Sequence, residues 1–261
     1  IGVEDGANNS YCDLLFYVNA SKTIEEPNDR PVITPDDGNE PEKPDVTETK
    51  TGTLAFEDIW PGGGDYDMND VIVEYNRAVS FDKKNQVTKI VDTFTPVHDG
   101  AVFANAFAYQ VDKGQFGKMT FSATTEGIHT ESATSSIIVC PNVKQAIQKV
   151  YTITREFTGG SFNKKDLKSY NPYIIVKYAE GQKGRTEVHL PKHEATSLAD
   201  LSLAGTQKDA YYIDKEGAYP FAIDIPILNF ISVTEKKSID TEYPNFKAWA
   251  DSKGEKYTDW Y

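Results

Sequence analysis

An acidic, glycine-led loop runs directly into an apolar strand in the stretch Phe56-Glu57-Asp58-Ile59-Trp60-Pro61-Gly62-Gly63-Gly64-Asp65-Tyr66-Asp67-Met68-Asn69-Asp70-Val71-Ile72-Val73. Asp65, Asp67 and Asn69 alternate with bulky residues. A near-extended backbone would therefore point their three side-chain oxygens to one side and the bulky side chains to the other. Several oxygen ligands facing one point are typical of a loop that binds a hard cation.

The cation predicted for this loop is calcium, which takes about six to eight oxygen ligands. The nearest groups that could complete the shell are Asp70 and the upstream pair Glu57 and Asp58. An EF-hand is excluded, because the sixth and twelfth positions from Asp65 hold Asp and Asn instead of Gly and Glu. The alternative is an ordinary turn with solvated acids. The predicted metal ligands are Asp65, Asp67, Asn69, Asp70, Glu57 and Asp58.

A shorter version of this pattern occurs near the N-terminus, where Glu4, Asp5 and Asp13 are followed by the apolar run 14–18. Such self-similarity is typical of repeated modules. Asparagines stand where the longer loop has aspartates, so the copy is either a degenerate site or an acidic turn before a buried strand. The sequence leaves open whether it binds metal.

The composition predicts a folded, β-rich protein. The chain has 261 residues, 39% of them hydrophobic, which is enough for a substantial core. Aromatic residues make up 12% and methionine is scarce, which favours strands over helices. The formal net charge of −13 argues against nucleic-acid and membrane-surface partners. No apolar run is long enough to predict a membrane span.

The two cysteines exclude a disulfide framework and a cysteine-rich zinc site. Cys12 and Cys140 both lie in apolar runs, which favours two buried thiols over a bridge, although the sequence leaves their pairing open. The chain begins at Ile1 without Met, so we expect a fragment of a longer or processed precursor.

Three segments are predicted. Residues 1–24 form a terminal strand left from an upstream related module, residues 25–50 an acidic, proline-rich linker, and residues 51–261 a β domain. Alternating hydrophobicity predicts strands at 53–56, 71–81, 87–97, 102–111, 118–123, 137–140, 150–157, 173–178 and 186–190. This favours a mostly antiparallel, all-β sandwich of jelly-roll type with long loops. Aromatic residues three apart predict a short helix at 243–250.

No catalytic residue is predicted. His189 and His193 have the spacing of a helical zinc motif, but Pro191 between them would break the helix, which favours a loop. With 40 acids, the sequence cannot select a carboxylate pair for glycoside hydrolysis. Some aromatics could form a platform for sugar rings, although most are expected in the core. These are Trp60, Trp249, Trp260, Tyr211, Tyr212, Tyr257 and Tyr261.

Three groups of motifs within residues 52–261 follow a pattern that a known family shares. The first motif is Leu54-Ala55-Phe56-Glu57-Asp58-Ile59-Trp60-Pro61 with Asp65-Tyr66-Asp67-Met68-Asn69-Asp70. The second is Asn171-Pro172-Tyr173-Ile174 followed by Thr186-Glu187-Val188-His189-Leu190-Pro191. The third comprises Pro220-Phe221-Ala222-Ile223-Asp224-Ile225-Pro226, Tyr243-Pro244-Asn245-Phe246-Lys247-Ala248-Trp249-Ala250 and Tyr257-Thr258-Asp259-Trp260-Tyr261. With these motifs, the chain over residues 52–261 resembles the LruC-domain proteins, which are bacterial envelope proteins often made as lipoproteins. One departure is Ala106, where relatives usually carry Gly.

The resemblance implies an exported, non-catalytic β protein of the Gram-negative envelope or outer surface, with a lipid anchor upstream of this chain. With the loop, it leads us to expect a surface module that carries structural calcium and mediates protein or glycan interactions. The alternative is a carbohydrate-binding module or glycoside-active enzyme that uses aromatic and carboxylate side chains.

Overall fold

The computed structural model describes residues 2–3, 14–15, 46–157, 162–168, 170–180, 184–203, 212–214 and 218–261. The chain divides into two compact units, Ile1–Glu42 and Lys43–Tyr261. In the first unit, the two-residue strands β1 (Gly2–Val3) and β2 (Leu14–Leu15) pair antiparallel. The N-terminal motif of Glu4, Asp5 and Asp13, and Cys12, lie outside the described residues.

The second unit is built from strands and two short α-helices. Its strands are β3 (Val46–Phe56), β4 (Val71–Phe81), β5 (Val87–His98), β6 (Ala106–Gln110), β7 (Met119–Ala123), β8 (His129–Glu131), β9 (Ser136–Cys140), β10 (Tyr151–Phe157), β11 (Asn171–Ile175), β12 (Glu187–His189) and β13 (Ala222–Ile225). The helices are α1 (Lys113–Phe116) and α2 (Phe246–Asp251). One antiparallel sheet has the order β13-β3-β4-β5-β10-β7 and the other β12-β11-β6-β9-β8. The predicted all-β sandwich is confirmed.

The main core lies between the two sheets. Phe56 and Phe94 of the six-stranded sheet meet Phe107 of the five-stranded sheet, with ring centroids 6.3 and 5.1 Å apart. Side chains alternate along β5, where Ile90, Asp92 and Phe94 are buried and their neighbours are more exposed. This period of two is what an amphipathic strand produces.

A second apolar cluster covers the other face of the six-stranded sheet. Ile72 and Ile223 pack there against the C-terminal region, including Phe246 of α2 and Trp260. Buried Cys140 of β9 accepts a hydrogen bond from the Tyr151 hydroxyl at 3.7 Å. No helix in the described ranges is both long and apolar enough to cross a bilayer.

A buried ionic group links the two sheets. Asp92 Oδ1 accepts a hydrogen bond from Arg77 Nε at 2.7 Å, while its Oδ2 accepts from Arg155 Nη2 at 2.9 Å and from the Tyr109 hydroxyl at 3.0 Å. Burial alone would raise the pKa of Asp92, but the charges of Arg77 and Arg155 outweigh it and hold the pKa below its usual value.

The observed ends of some strands differ from the predicted ends, because pairing with strands that are far away in sequence sets where they begin. β4 has its predicted bounds, but β3 begins at Val46, before the predicted 53, because it pairs with β4 along its whole length. β6 begins at Ala106 rather than 102, and Val102 is 87% exposed. The short strands β8 and β13 were not among the predicted nine, since three or four residues give little alternation.

Candidate metal site

The acidic loop, residues 57–70, connects two neighbouring antiparallel strands. Phe56 at the end of β3 pairs with Val71 at the start of β4, so Glu57 and Asp70 emerge side by side. Asp58 N donates a hydrogen bond to Asp70 Oδ2 at 2.7 Å and closes the base of the loop. The register of the sheet therefore gathers acids that are twelve or more positions apart in sequence.

Three of the six predicted ligands converge on one point. Glu57, Asp65 and Asp67 each offer a carboxylate oxygen within 4.8 Å of the other two. Calcium ligands lie at about 2.3–2.6 Å from the ion, so oxygens of one shell are at most about 5 Å apart. Glu57 and Asp67 are buried, whereas Asp65 is exposed. The spacing suits one hard cation reached from the solvent side.

The burial of Glu57 and Asp67 and the negative charges of Glu57, Asp65 and Asp67 favour the binding of a cation. Burial raises the pKa of Glu57 well above its usual value, and the charges of Asp70, Asp67 and Asp65 raise it further. Burial also raises the pKa of Asp67. A bound cation would offset both the desolvation and the mutual repulsion of these carboxylates.

The backbone of the loop is not near-extended, so that prediction was wrong. Tyr66 and Met68 have positive φ angles of 56° and 54°. The Tyr66 ring packs in the main core, and its hydroxyl donates a hydrogen bond to Asp214 Oδ2 at 2.8 Å. Met68 packs in the second cluster. Burial of these two side chains in different cores stabilises a backbone that costs about 1–3 kcal/mol per residue.

The loop is also tied to a distant segment, residues 233–239. Lys236 N donates to Asp67 Oδ2 at 2.9 Å, and Ile239 N donates to Tyr66 O at 2.8 Å. Glu57 Oε1 accepts from Met68 N at 2.7 Å within the loop. The positions of two candidate ligands, Glu57 and Asp67, are therefore fixed by backbone donors.

Asp58 and Asp70 form a separate pair beside the three-carboxylate group. Asp58 Oδ2 accepts a hydrogen bond from Asn105 Nδ2 at 2.7 Å. Burial, followed by the charge of Asp58, raises the pKa of Asp70 to about 7. Both acids line the same cleft of about 390 Å³ as Asp65 and Asp67. Their contacts hold the ends of the loop together.

Asn69, the sixth predicted ligand, has an oxygen without a protein partner. Its side chain is buried, and Oδ1 accepts no hydrogen bond from the described residues. A Cβ added to Gly100, which lines the cleft, would lie 2.5 Å from this oxygen. A buried unpaired amide oxygen is costly, and a bound ion or water would satisfy it.

Two residues that contribute to the candidate metal site were not predicted from the sequence. Glu235 lines the cleft, and its charge raises the pKa of Asp67 although the two are far apart in sequence. Asn105 orients Asp58 through its amide. Neither residue stands in a local pattern that could have indicated this role.

The other predicted features lie elsewhere. His189 ends β12 and is fully buried, with Nδ1 2.7 Å from Asn171 Oδ1 and Nε2 2.9 Å from Glu187 Oε2. Burial lowers its pKa more than Glu187 raises it. His193 lies in the following loop, so the two histidines do not share a helix face.

Most of the aromatics that could have formed a sugar platform were expected in the core, and three of those in the described part of the chain lie there. Trp60, Tyr212 and Trp260 are buried in the cores, while Tyr257 is exposed and Trp249 is half-buried. Tyr211 lies outside the described residues.

Comparison with known proteins identifies a structure of similar fold and a family to which the chain belongs. No curated protein matches the chain. A solved structure with a similar fold is that of a Bacteroides ovatus protein described as a putative lipoprotein, with a TM-score of 0.58 and 17% identity over 82% of this chain and 73% of that chain. A family described as a domain of unknown function, DUF4842, matches residues 85–261, which lie C-terminal to the acidic loop. The chain belongs to the DUF4842 family.

Proposed function

We propose that this protein is a non-catalytic module of the bacterial cell envelope whose acidic loop binds a structural calcium ion. The observation that carries the proposal is the convergence of Glu57, Asp65 and Asp67 within 4.8 Å. The buried, unpaired Asn69 Oδ1 beside the same cleft supports it. Asp70, Asp58 and Glu235 would orient the loop or complete the shell. Extracellular calcium is abundant enough to fill sites with Kd values of about 10⁻⁴–10⁻³ M.

The ion would stabilise the loop by offsetting the repulsion between the carboxylates of the loop. Without metal, the folded state brings several acids together, and this repulsion opposes folding. With metal, the same oxygens become ligands, and the binding energy adds to the free energy of unfolding. Because Asp67 Oδ2 accepts a hydrogen bond from Lys236 N, the ion would also stabilise the contact between the loop and residues 233–239.

A thermal melt in calcium and in chelator, combined with elemental analysis, tests the metal. At calcium about 100 times the Kd, stabilisation is about 2.7 kcal/mol, which raises the Tm of a domain of this size by roughly 5–10 °C. Asp67→Ala should abolish most of this rise. Glu126→Ala, which removes an exposed acid elsewhere, should retain it. A calcium response retained in Asp67→Ala, or no response and no bound metal in the parent protein, would contradict the assignment.

The envelope location is supported by the sequence resemblance to LruC-domain proteins and by the likeness of fold to a protein described as a lipoprotein. The proposed partner is a protein or a glycan at the outer surface of a Gram-negative cell. Fractionation of bacterial cells that produce the protein natively tests the location. Recovery of the protein in the cytoplasmic fraction would contradict it.

A carbohydrate-binding or glycoside-active role is the second candidate. It is favoured by one observation, the Asp58 and Asp70 pair in an open cleft, where the pKa of Asp70 is raised to about 7. Such a pKa suits a general acid. However, no tryptophan is among the described residues that line this cleft. Binding on a glycan array, or hydrolysis that is lost in Asp70→Asn, would favour this role over the first.

A further inference from the structure

A second cleft lies away from the acidic loop and has a different character. We name it the α2 cleft, because it lies between the loop after β12, the strand β13 and the C-terminal end of α2. Its volume is about 380 Å³, and none of the described residues lines both this cleft and the acidic cleft. Its apolar walls include Leu190, Pro191, Ile213, Pro220, Ile223 and Trp249.

The size and walls of the α2 cleft suit a small molecule. Ligand pockets are mostly apolar concavities of about 300–1,000 Å³ with a few polar groups. Trp249 is half-buried here, in contrast to the buried Trp60 and Trp260. Gly254, which has a φ angle of 82°, lies beside the indole and has no side chain to cover it. A Cβ added to Gly254 would lie 3.6 Å from Trp249 Nε1. The indole is thus available to an apolar ligand.

Among the described residues that line the cleft, the two charges without an ion-pair partner are both positive. Two aspartates line it, but Asp224 is paired with Lys50 at 2.8 Å, and Asp251 is paired with Lys247. Two lysines also line it, Lys192 and Lys253, and neither forms an ion pair with any of the described residues.

Two lysines in one cleft without an ion pair to any described residue stand out in a chain with a net charge of −13. Two lysines that form no ion pair with the described residues, beside apolar walls, are complementary to one anionic group on an apolar body.

We propose that the α2 cleft binds small amphipathic anions, molecules with an apolar ring or chain and one carboxylate or sulfonate. The apolar body packs against Trp249 and Pro191, and the anionic group lies near Lys192 and Lys253. The site is independent of calcium in the acidic loop, since the described residues that line the two clefts are different.

The probe for the test is 1-anilinonaphthalene-8-sulfonate, an aromatic anion whose fluorescence rises in apolar surroundings. The matched neutral probe is N-phenyl-1-naphthylamine, which has the same rings without the sulfonate. Titrations of the full chain should give saturable binding of the anion at one site per chain. The neutral probe should bind several-fold more weakly.

The variant Lys192→Met/Lys253→Met keeps the apolar stems and removes both charges. Because two exposed charges are lost, the Kd for the anionic probe should rise by between about twofold and about thirtyfold. Binding of the neutral probe should not change. The control variant Lys118→Met/Lys165→Met removes two exposed lysines elsewhere and should leave both affinities unchanged. An anionic-probe affinity unchanged in the first variant, equal affinities for the two probes, or no saturable binding would overturn the proposal.

Discussion

Gly64 lies so close to Glu57 that a Cβ added to Gly64 would be 2.6 Å from Glu57 Oε2. The Glu57 carboxylate cannot yield freely, because the side chain is buried and Oε1 accepts a hydrogen bond from Met68 N at 2.7 Å. Gly64 therefore provides the space in which a candidate metal ligand lies.

The substitution Gly64→Ala should displace the Glu57 carboxylate and weaken calcium binding. We expect the calcium-induced rise in Tm to fall by at least half, while the Tm in chelator changes by only a few degrees. Calorimetric titration with calcium and parallel melts measure both effects. Gly117→Ala is the matched control, because an added Cβ there would lie 3.9 Å from its nearest neighbour, Lys113 O. Equal calcium affinity in the two variants would show that Glu57 is not a ligand.

The two groups of acids should respond differently to substitution. Asp65→Asn removes an exposed charge from the three-carboxylate group, so it should leave stability in chelator unchanged or raised and reduce the calcium response. Asp58→Ala removes the acceptor of Asn105 Nδ2, so it should cost about 1–3 kcal/mol of unfolding free energy with or without calcium. Denaturant unfolding with and without metal separates these outcomes. A lost calcium response in Asp58→Ala would instead make Asp58 a ligand.

Stability without metal should fall as the pH rises. In the folded protein the pKa of Asp70 is about 7, above its usual 3.8, and the pKa of Glu57 is also raised. A carboxyl with a raised folded pKa contributes its full stability below the unfolded value and loses it as pH rises to the folded value. In chelator, the free energy of unfolding should therefore decrease between pH 5 and pH 7 on account of these groups, and calcium should reduce this decrease.

The variant Asp70→Asn tests the origin of this pH dependence. It removes the group whose pKa is about 7, so its unfolding free energy should change less between pH 5 and pH 7 than that of the parent protein. Denaturant titrations at fixed ionic strength provide the comparison. Identical pH profiles for the two proteins would mean that Asp70 titrates in its usual range.

Breaking the buried ionic group of the sandwich should be costly. Asp92→Ala leaves the guanidinium groups of Arg77 and Arg155 without their shared carboxylate, which should lower the free energy of unfolding by about 3–5 kcal/mol. Glu156→Ala is a control on the neighbouring strand, because Glu156 makes only an exposed pair with Lys89 at 3.8 Å and should cost less than about 1 kcal/mol. Similar losses in both variants would contradict this view of the core.

Local patterns predicted most strands of the second unit. β4 was predicted at its observed bounds because apolar residues recur at Val73, Tyr75, Val79 and Phe81 and because turn residues flank the strand. The helix was predicted at 243–250 and observed at Phe246–Asp251, since aromatic spacing indicates a helix but not its ends. β13 was missed because it is short and depends on pairing with β3.

The sequence by itself determined that an acidic, oxygen-rich loop precedes the β4 strand in an all-β protein, because alternation and turn chemistry are properties of neighbouring residues. Only the tertiary structure decided which acids meet. Glu57, Asp65 and Asp67 converge because Tyr66 and Met68 are buried in two different cores and force left-handed turns into the backbone. Contacts of this kind depend on packing between distant segments, which no local pattern in the chain records.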